Sequence, residues 1–203
     1  MNKLSLILFS TALFFSCVNK PEVEDLGSDA LLLKQDALKI VYHKTEGSYI
    51  GKAIFDDELA FDYLQESFPS TAQNFRSRNG SDIHDKESII SRTFLPHPSL
   101  NVNRSFALKE NALELNWRFK NTSEKAITGK FQINMKIDKN AKVRGKNDGT
   151  EITLYNGLKL NFIHGSHLSF TPSTEGLKIS DRQYRRIKPL HRDSEKIIIK
   201  FSK

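Results

Sequence analysis

Apolar and polar residues alternate without interruption in Leu113-Glu114-Leu115-Asn116-Trp117-Arg118-Phe119-Lys120. Successive side chains of a β-strand point to opposite faces of a sheet, so this stretch predicts a strand with one buried and one wet face. A polar segment at 121–125 follows, and a second alternating stretch runs over residues 127–137. The sequence therefore predicts that these two strands pair as an antiparallel hairpin.

A second hairpin is indicated by Asn156-Gly157, which has apolar alternation on both sides. Asn-Gly favours a type I′ turn, because both central residues of that turn need a positive φ. Turn signals recur about every 8–12 residues, a spacing typical of sandwiches and barrels. Further strands are predicted at residues 38–42, 88–94, 102–108, 168–171, 177–179 and 197–201.

One helix is predicted over residues 57–68, with Asp56 as its N-cap and acidic residues in its first turn. The polar, glycine-bearing residues 69–87 predict a long loop. Strands with one apolar face must bury that face against another layer, and two sheets packed face to face about 10 Å apart do so. The sequence therefore predicts an all-β fold, an antiparallel β-sandwich of roughly eight to ten strands with at most one short helix.

The chain begins with the pattern of a secretory signal peptide. Lys3 gives a positive start, and residues 4–15 are almost wholly apolar. This run is too short to cross about 30 Å of hydrocarbon as a helix, which needs about 20 residues. We therefore expect residues 1–16 to be a signal peptide that is removed on export.

Ser16-Cys17 resembles the lipobox of bacterial lipoproteins, and Cys17 is the only cysteine in the chain. Phe14 departs from the usual Leu of that motif. The resemblance implies that a diacylglyceryl group is attached to Cys17 and that cleavage makes Cys17 the N-terminus. The alternative is an ordinary signal peptide whose apolar region ends near a cysteine.

Lipid on Cys17 predicts the location and the domain boundaries. Two acyl chains anchor a protein stably, since each buried CH₂ contributes about 0.8 kcal/mol. Residues 17–35 are then the lipidated cysteine and a tether, and residues 36–203 are the sandwich. Val18 resembles the pattern of lipoproteins kept in the outer membrane, which predicts a lipid-anchored protein of the cell envelope, in the outer membrane and on its periplasmic or surface face. Nucleic acid is not expected as a partner there.

Basic residues are concentrated near the end of the chain. The formal net charge is +7, and residues 181–203 carry eight Lys or Arg against three Asp or Glu. Such a stretch could meet anionic headgroups, at about 1 kcal/mol per cation, or a phosphate, sulfate or uronate on a glycan. The alternative is a solvated loop and strand edge balanced by the acidic N-terminal third.

Aromatic residues supply the candidate ligand contacts. Trp117 and Phe162 lie on the apolar phase of their strands, which favours burial in the core. Tyr155 precedes the Asn-Gly turn and Tyr184 lies among arginines, so these two are the candidates for stacking on a sugar ring. The predicted ligand-binding set is Tyr155, Arg182, Tyr184, Arg185 and Arg186.

His164 and His167 have a spacing that allows a metal site only if the chain turns at Gly165, because positions three apart face opposite sides of a strand. A turn with two partly exposed histidines explains the same residues. We predict no metal or other cofactor, and keep His164 and His167 as the metal candidates.

Asp56, Asp57 and Glu58 place three carboxylates together, but acids at a helix start explain them through the helix dipole. Nucleophile-elbow, Walker and dinucleotide-binding motifs do not occur in the sequence. We predict no catalytic residue, and an enzyme is not favoured.

Residues 113–137, with Trp117-Arg118-Phe119-Lys120-Asn121 and the Gly129-Lys130-Phe131 step, resemble strands of galactose-mutarotase-like supersandwich domains. The similarity is to the C-terminal domain of some α-amylase and 4-α-glucanotransferase enzymes in particular. Residues 179–184 are similar to a loop of the same kind of domain. The resemblance covers about a quarter of the chain and implies a sandwich that sits beside glycan chemistry without performing it.

Three functions follow from these patterns. The first is a membrane-anchored lipoprotein whose non-catalytic sandwich binds a ligand such as a glycan. The alternative is a structural or assembly lipoprotein of the cell envelope that contacts proteins or the membrane. A third is a hydrolase, which would need Asp56 or Asp57 in a cleft opposite a second carboxylate.

Overall fold

A computed structural model describes residues 19–44, 49–68, 82–84, 88–97, 99–147 and 149–203, with backbone only for residues 82–84 and 88–97. The expected signal peptide and Cys17 lie outside the described residues. Most of the predicted loop at 69–87 lies outside them too.

The described residues form nineteen β-strands and no helix. They are β1 (Glu22–Asp25), β2 (Ala30–Gln35), β3 (Leu38–His43), β4 (Tyr49–Phe55), β5 (Glu58–Phe61), β6 (Tyr63–Ser67), β7 (Asp82–His84), β8 (Ser88–His97), β9 (Leu100–Lys109), β10 (Ala112–Asn121), β11 (Ile127–Gly129), β12 (Gln132–Lys136), β13 (Lys142–Lys146), β14 (Gly149–Thr153), β15 (Lys159–Ile163), β16 (Leu168–Ser173), β17 (Gly176–Asp181), β18 (Arg185–Ile187) and β19 (Arg192–Ser202). The strands predicted at 38–42, 88–94, 102–108, 168–171, 177–179 and 197–201 all fall within them.

Two antiparallel sheets make up the sandwich. The first has the order β1-β2-β3-β4-β6-β12-β17-β16, with β5 also paired to β4. The second has the order β13-β14-β15-β19-β10-β9-β8-β7, and β11 pairs with β18 in a small separate sheet. The predicted all-β antiparallel sandwich is confirmed, although the described residues form more strands than expected.

The core lies between the two sheets and follows the predicted alternation. Leu113, Leu115, Trp117 and Phe119 of β10 are each 0% exposed. Trp117 packs on Phe131 with ring centroids 5.0 Å apart. Aromatic pairs in this geometry add about 0.5–1.5 kcal/mol beyond the area that they bury.

The predicted hairpin between residues 113–119 and 127–137 is wrong. β10 pairs with β9 and β19, whereas β12 pairs with β6 and β17 in the other sheet. The buried amide of Asn121 donates to the carbonyl oxygens of Lys125 (2.7 Å), Ile187 (3.1 Å) and Lys188 (3.2 Å). These bonds hold the loop that carries the chain out of the second sheet, where a tight reversal was expected.

The predicted helix at 57–68 is also wrong, because these residues form β5 and β6. Phe55 lies opposite Glu58, and the two residues between them, Asp56 and Asp57, have φ of 53° and 62°. Positive φ at both central positions is the requirement of a type I′ hairpin turn, and Asp is among the residues that tolerate it. The acidic pair therefore marks a strand reversal and caps no helix.

The Asn156-Gly157 hairpin is confirmed, with Ile152 of β14 opposite Leu160 of β15. Its turn differs from the predicted type I′. Gly157 has a φ of 86°, whereas Asn156 is not among the positive-φ residues. Gly157 donates its N–H to the Leu154 carbonyl at 3.1 Å, which fits a three-residue loop ending in a left-handed glycine.

Most of the predicted tether at 17–35 belongs to the sandwich, because two strands lie within it from Glu22 onward. β1 and β2 are strands of the first sheet, and β2 is hydrogen-bonded to β3 along its length. Leu31 and Leu33 are each 0% exposed, so this segment already buries apolar side chains in the core. The sandwich therefore begins ahead of the predicted boundary at residue 36.

Among the described residues, none belongs to a helix with the length and apolarity needed to cross a membrane.

Candidate ligand-binding cleft

A cleft of about 550 Å³ opens at one corner of the sandwich. The turn before β16, the end of β17, the loop leading to β18 and the start of β19 meet there. We call it the corner cleft, and its lining includes Ser166, His167, Asp181, Arg182, Tyr184 and Arg185. Its volume is within the range of about 300–1,000 Å³ that small-molecule sites occupy.

Arg185 holds the floor of the corner cleft together. Its Nε and Nη2 donate to the two carboxylate oxygens of Asp181 at 3.1 and 2.9 Å. Nη2 also donates to Glu195 at 2.6 Å, and Nη1 donates to Asp193 at 3.2 Å. A forked guanidinium on a carboxylate is among the stronger protein hydrogen-bond arrangements. Burial alone would lower the pKa of Arg185, but the bonds to Asp181 and Glu195 outweigh burial and raise it above the usual value.

The same cluster is tied to the core beneath it. Asp181 accepts a hydrogen bond from the backbone N–H of Phe131 at 2.8 Å. The guanidinium of Arg185 lies 5.5 Å from the ring centroid of Phe119 and 5.8 Å from that of Phe131. Buried charges are costly unless they are paired and hydrogen-bonded, and here each buried carboxylate has the same cationic partner.

His167 is the exposed member of the cluster. Its Nε2 lies 2.6 Å from Oε2 of Glu195, and its side chain is 52% exposed against 3% for Glu195. A carboxylate only accepts, so Nε2 carries the proton. A Cβ at Gly165 would collide with the His167 ring, so a glycine at this turn lets the imidazole lie against the backbone.

His164 and His167 do not converge. His164 donates from Nδ1 to the Gly165 carbonyl at 2.8 Å, and its Nε2 lies 3.1 Å from the Thr150 hydroxyl. His167 instead lies with Asp181 and Glu195, whose ligand-type atoms are within 4.8 Å of its own. The Arg185 guanidinium already bonds both carboxylates, so a metal ion there would face a fixed positive charge. The carboxylates that could bind a metal ion are thus already paired with the Arg185 guanidinium.

Tyr184 forms the rim of the corner cleft. Its ring is 73% exposed, and the Lys130 ammonium lies 5.5 Å from the ring centroid. Lys130 also donates to the Arg182 carbonyl at 3.2 Å. Arg182 donates from Nε to the Leu168 carbonyl at 3.1 Å, which fixes its stem. Among the described residues, its terminal nitrogens have no hydrogen-bond partner.

The predicted ligand-binding set is therefore divided. Arg182, Tyr184 and Arg185 share the corner cleft. Arg186 is exposed on β18, opposite Thr128, and does not line the cleft. Tyr155 is 83% exposed at the tip of the β14–β15 hairpin, where it lines a different depression with Leu59.

Sequence reasoning missed Asp181, Asp193 and Glu195. For Asp181 and Glu195, the alternation of apolar and polar residues in their strands did contain a signal. Glu195 continues the buried series of Ile197 and Ile199 in β19, and Asp181 continues that of Ile179 in β17. A charged residue on the apolar phase of a strand indicates a buried ion pair, because it needs a partner inside.

No protein-family model and no curated protein matches the chain. Solved structures do match it. A galactose mutarotase related enzyme from Lactobacillus acidophilus has a TM-score of 0.63 at 10% identity, over 86% of this chain and 97% of that one. A putative aldose 1-epimerase from Escherichia coli K12 has a TM-score of 0.62 at 8% identity, over 82% and 96%.

A galactose mutarotase-like protein from Clostridium acetobutylicum is also similar, with a TM-score of 0.57 at 8% identity, over 91% of this chain and 99% of that one. The fold is therefore that of galactose-mutarotase-like β-sandwiches. This confirms the fold implied by the sequence resemblance. At these identities the similarity concerns the fold alone.

Proposed function

We propose that this chain is an exported, lipid-anchored protein of the cell envelope whose sandwich binds a glycan in the corner cleft. The anchor is the lipid expected on Cys17. The observation that carries the binding proposal is the position of Tyr184, an exposed ring at the rim of a cleft whose polar floor is already ordered.

Sugar rings need two kinds of contact, and the corner cleft offers both. Their C–H faces stack on aromatic rings, as Tyr184 allows, and their hydroxyls need fixed donors and acceptors. The Asp181–Arg185–Glu195 cluster is held by hydrogen bonds of 2.6 to 3.1 Å before any ligand arrives. Little ordering is then left for the ligand to impose, which favours binding.

The proposed role is binding without hydrolysis. The side chains of Asp181 and Glu195 are 4% and 3% exposed, and both accept from Arg185, so they do not face a ligand as a free acid and base. Asp56 bonds to Lys203 and Asp57 to Lys39 at the β4–β5 turn. Lys203 also bonds Glu58, so these acids are paired with lysines and this pairing does not favour the hydrolase hypothesis.

The pair of His167 and Glu195 favours one second candidate, proton transfer to a bound sugar. A half-exposed imidazole oriented by a buried carboxylate is the arrangement of a general acid–base. The names of the similar structures describe mutarotase and epimerase proteins, which is consistent with this candidate. Polarimetry of freshly dissolved galactose tests it, because only catalysis would speed the approach to rotational equilibrium and a His167→Gln variant would remove the effect.

Calorimetric titration with α-glucan and acidic oligosaccharides tests glycan binding. Tyr184→Ala should weaken binding about tenfold, since an aromatic contact is worth about 1–1.5 kcal/mol, whereas Tyr155→Ala should leave it unchanged. The absence of measurable binding to every glycan would refute the binding proposal. Capture of one dominant protein by cross-linking in intact cells would favour the assembly lipoprotein instead.

Mass spectrometry of the membrane fraction tests the anchor. A mature N-terminal peptide carrying a diacylglyceryl group on Cys17 is expected, and Cys17→Ser should release the protein from the membrane. An unmodified Cys17 in the exported protein would remove the anchor without touching the cleft.

A further inference from the structure

A second depression of about 460 Å³ continues the corner cleft. It lies between β13, at one edge of the second sheet, and β16, at one edge of the first. We call it the side groove. Ser166 and Arg182 line both depressions, so the two meet at the Arg182 side chain and form one path along the open side of the sandwich.

The side groove has a surface suited to a second sugar ring. His164 and Phe170 pack together in its wall with ring centroids 4.5 Å apart and ring planes tilted by 32°, and both side chains are partly exposed. The Thr150 hydroxyl lies 3.1 Å from His164, which places a polar group beside the aromatic pair. A ligand that fills both depressions is longer than one sugar unit.

The charge that faces this ligand is positive at the junction. The buried carboxylates Asp181 and Glu195 are already paired with Arg185, so their charge is compensated inside the chain. Arg182 is exposed with its stem fixed by the Leu168 carbonyl at 3.1 Å, and the Lys130 ammonium lies beside it, bonded to its backbone oxygen at 3.2 Å. Asp193 is the partly exposed acid, at 39%, and it accepts from Arg185.

We propose that the groove binds an acidic oligosaccharide, with the Arg182 guanidinium paired to a carboxylate or sulfate at the junction of the corner cleft and the side groove. A guanidinium fork matches the two oxygens of either group. This inference rests on the proposed glycan binding and specifies the class of glycan.

The experiment compares each acidic probe with a neutral probe of the same backbone. Oligogalacturonate against its methyl ester tests a carboxylate, and sulfated against unsulfated isomalto-oligosaccharide tests a sulfate. Calorimetry at fixed ionic strength should show one acidic probe binding about tenfold or more tighter than its neutral match, as expected for a charge-assisted pair.

Arg182→Gln should bring the ratio of the two affinities close to one, because it should weaken binding of the acidic probe far more than binding of the neutral probe. Arg186→Gln is the matched control, because Arg186 is an exposed arginine four positions away that lines neither depression, and it should keep the full ratio. Equal thermal midpoints of the two variants would show that both are folded.

The failures of the two proposals are distinguishable. Neutral probes that bind as tightly as acidic ones, or a ratio that survives Arg182→Gln, would overturn this inference and leave glycan binding intact. Loss of neutral binding in Arg182→Gln would also overturn it, because Arg182 would then hold the sugar and not its acid group. No binding of any probe would remove both proposals.

Discussion

Arg104 of β9 donates from Nη1 to Oε2 of Glu66 of β6 at 2.7 Å, with side chains 0% and 1% exposed. The pair joins the two sheets through the interior of the sandwich. Glu66 also accepts from the indole N–H of Trp117 at 3.2 Å. Charges removed from water in this way persist because each oxygen of the carboxylate has a donor.

We expect Glu66→Ala to destabilise the protein by about 3–5 kcal/mol, because it removes a buried carboxylate that accepts hydrogen bonds from both Arg104 and Trp117. The double variant Glu66→Leu with Arg104→Met should cost much less than the single change, since it removes both charges and keeps apolar volume. Urea unfolding measures both. A double variant as unstable as the single one would show that the pair itself stabilises the fold.

Arg185→Gln should destabilise the protein by about 2–4 kcal/mol, because two nearly buried carboxylates lose their common cation. Arg185→Lys should rescue only part of the loss, since an ammonium cannot donate the fork that Asp181 accepts. Arg186→Gln, on the exposed face of β18, should stay within about 0.5 kcal/mol of the parent. Equal losses of stability at positions 185 and 186 would contradict the role of Arg185 as the shared partner of the buried carboxylates.

Gly176→Ala should destabilise by about 1–3 kcal/mol, the usual cost of a non-glycine residue in a sparsely populated backbone region. Gly176 has a φ of 135°, and a Cβ there would collide with backbone atoms of Met135 and Lys136. Gly145→Ala is the control, because its Cβ would meet nothing within 4 Å. Thermal or urea unfolding of the two variants should separate them clearly.

The stability contributed by Glu114 should be lost in acid. Burial would raise its pKa, but hydrogen bonds to Lys196 and Lys109 outweigh burial and lower the pKa below its usual value. The unfolded chain therefore binds the proton more readily, so this contribution is present above the unfolded pKa of about 4.3 and disappears as pH falls through the folded pKa.

Unfolding free energies between pH 6 and 3 provide the measurement, with Glu114→Gln as the reference. The gap between the parent and the variant should be widest near neutrality and should close in acid. A gap that stays constant over the whole range would contradict the ion-pair origin of the shift.

Alternation in the sequence correctly predicted which face of a strand is buried, but it did not predict which strands pair with each other. Leu113, Leu115, Trp117 and Phe119 are all buried as expected, because a period of two fixes which side chains share a face. The same period holds for a strand in either sheet, so it could not show that residues 127–137 cross to the opposite layer. That step depends on the buried amide of Asn121, which reads as an ordinary loop residue.

The acidic residues at the start of the segment led to the wrong prediction of a helix over residues 57–68. Asp56 and Asp57 suit the start of a helix and the left-handed turn of a hairpin equally well, and strand pairing with β4 decided between them. The corner cleft was predicted only in part. Its arginines and Tyr184 lie close together in the chain, whereas His167, Asp181 and Glu195 meet through pairing of strands distant in sequence.

The order of the first sheet has a consequence for presentation at a surface. β1 and β16 lie at its two opposite edges, seven strand spacings apart, which is about 34 Å measured along the sheet at about 4.8 Å per strand. An acylated cysteine a few residues ahead of β1 would hold the β1 edge against the bilayer. The mouth beside β16 would then open outward, where long polymers could reach it without first meeting the headgroups.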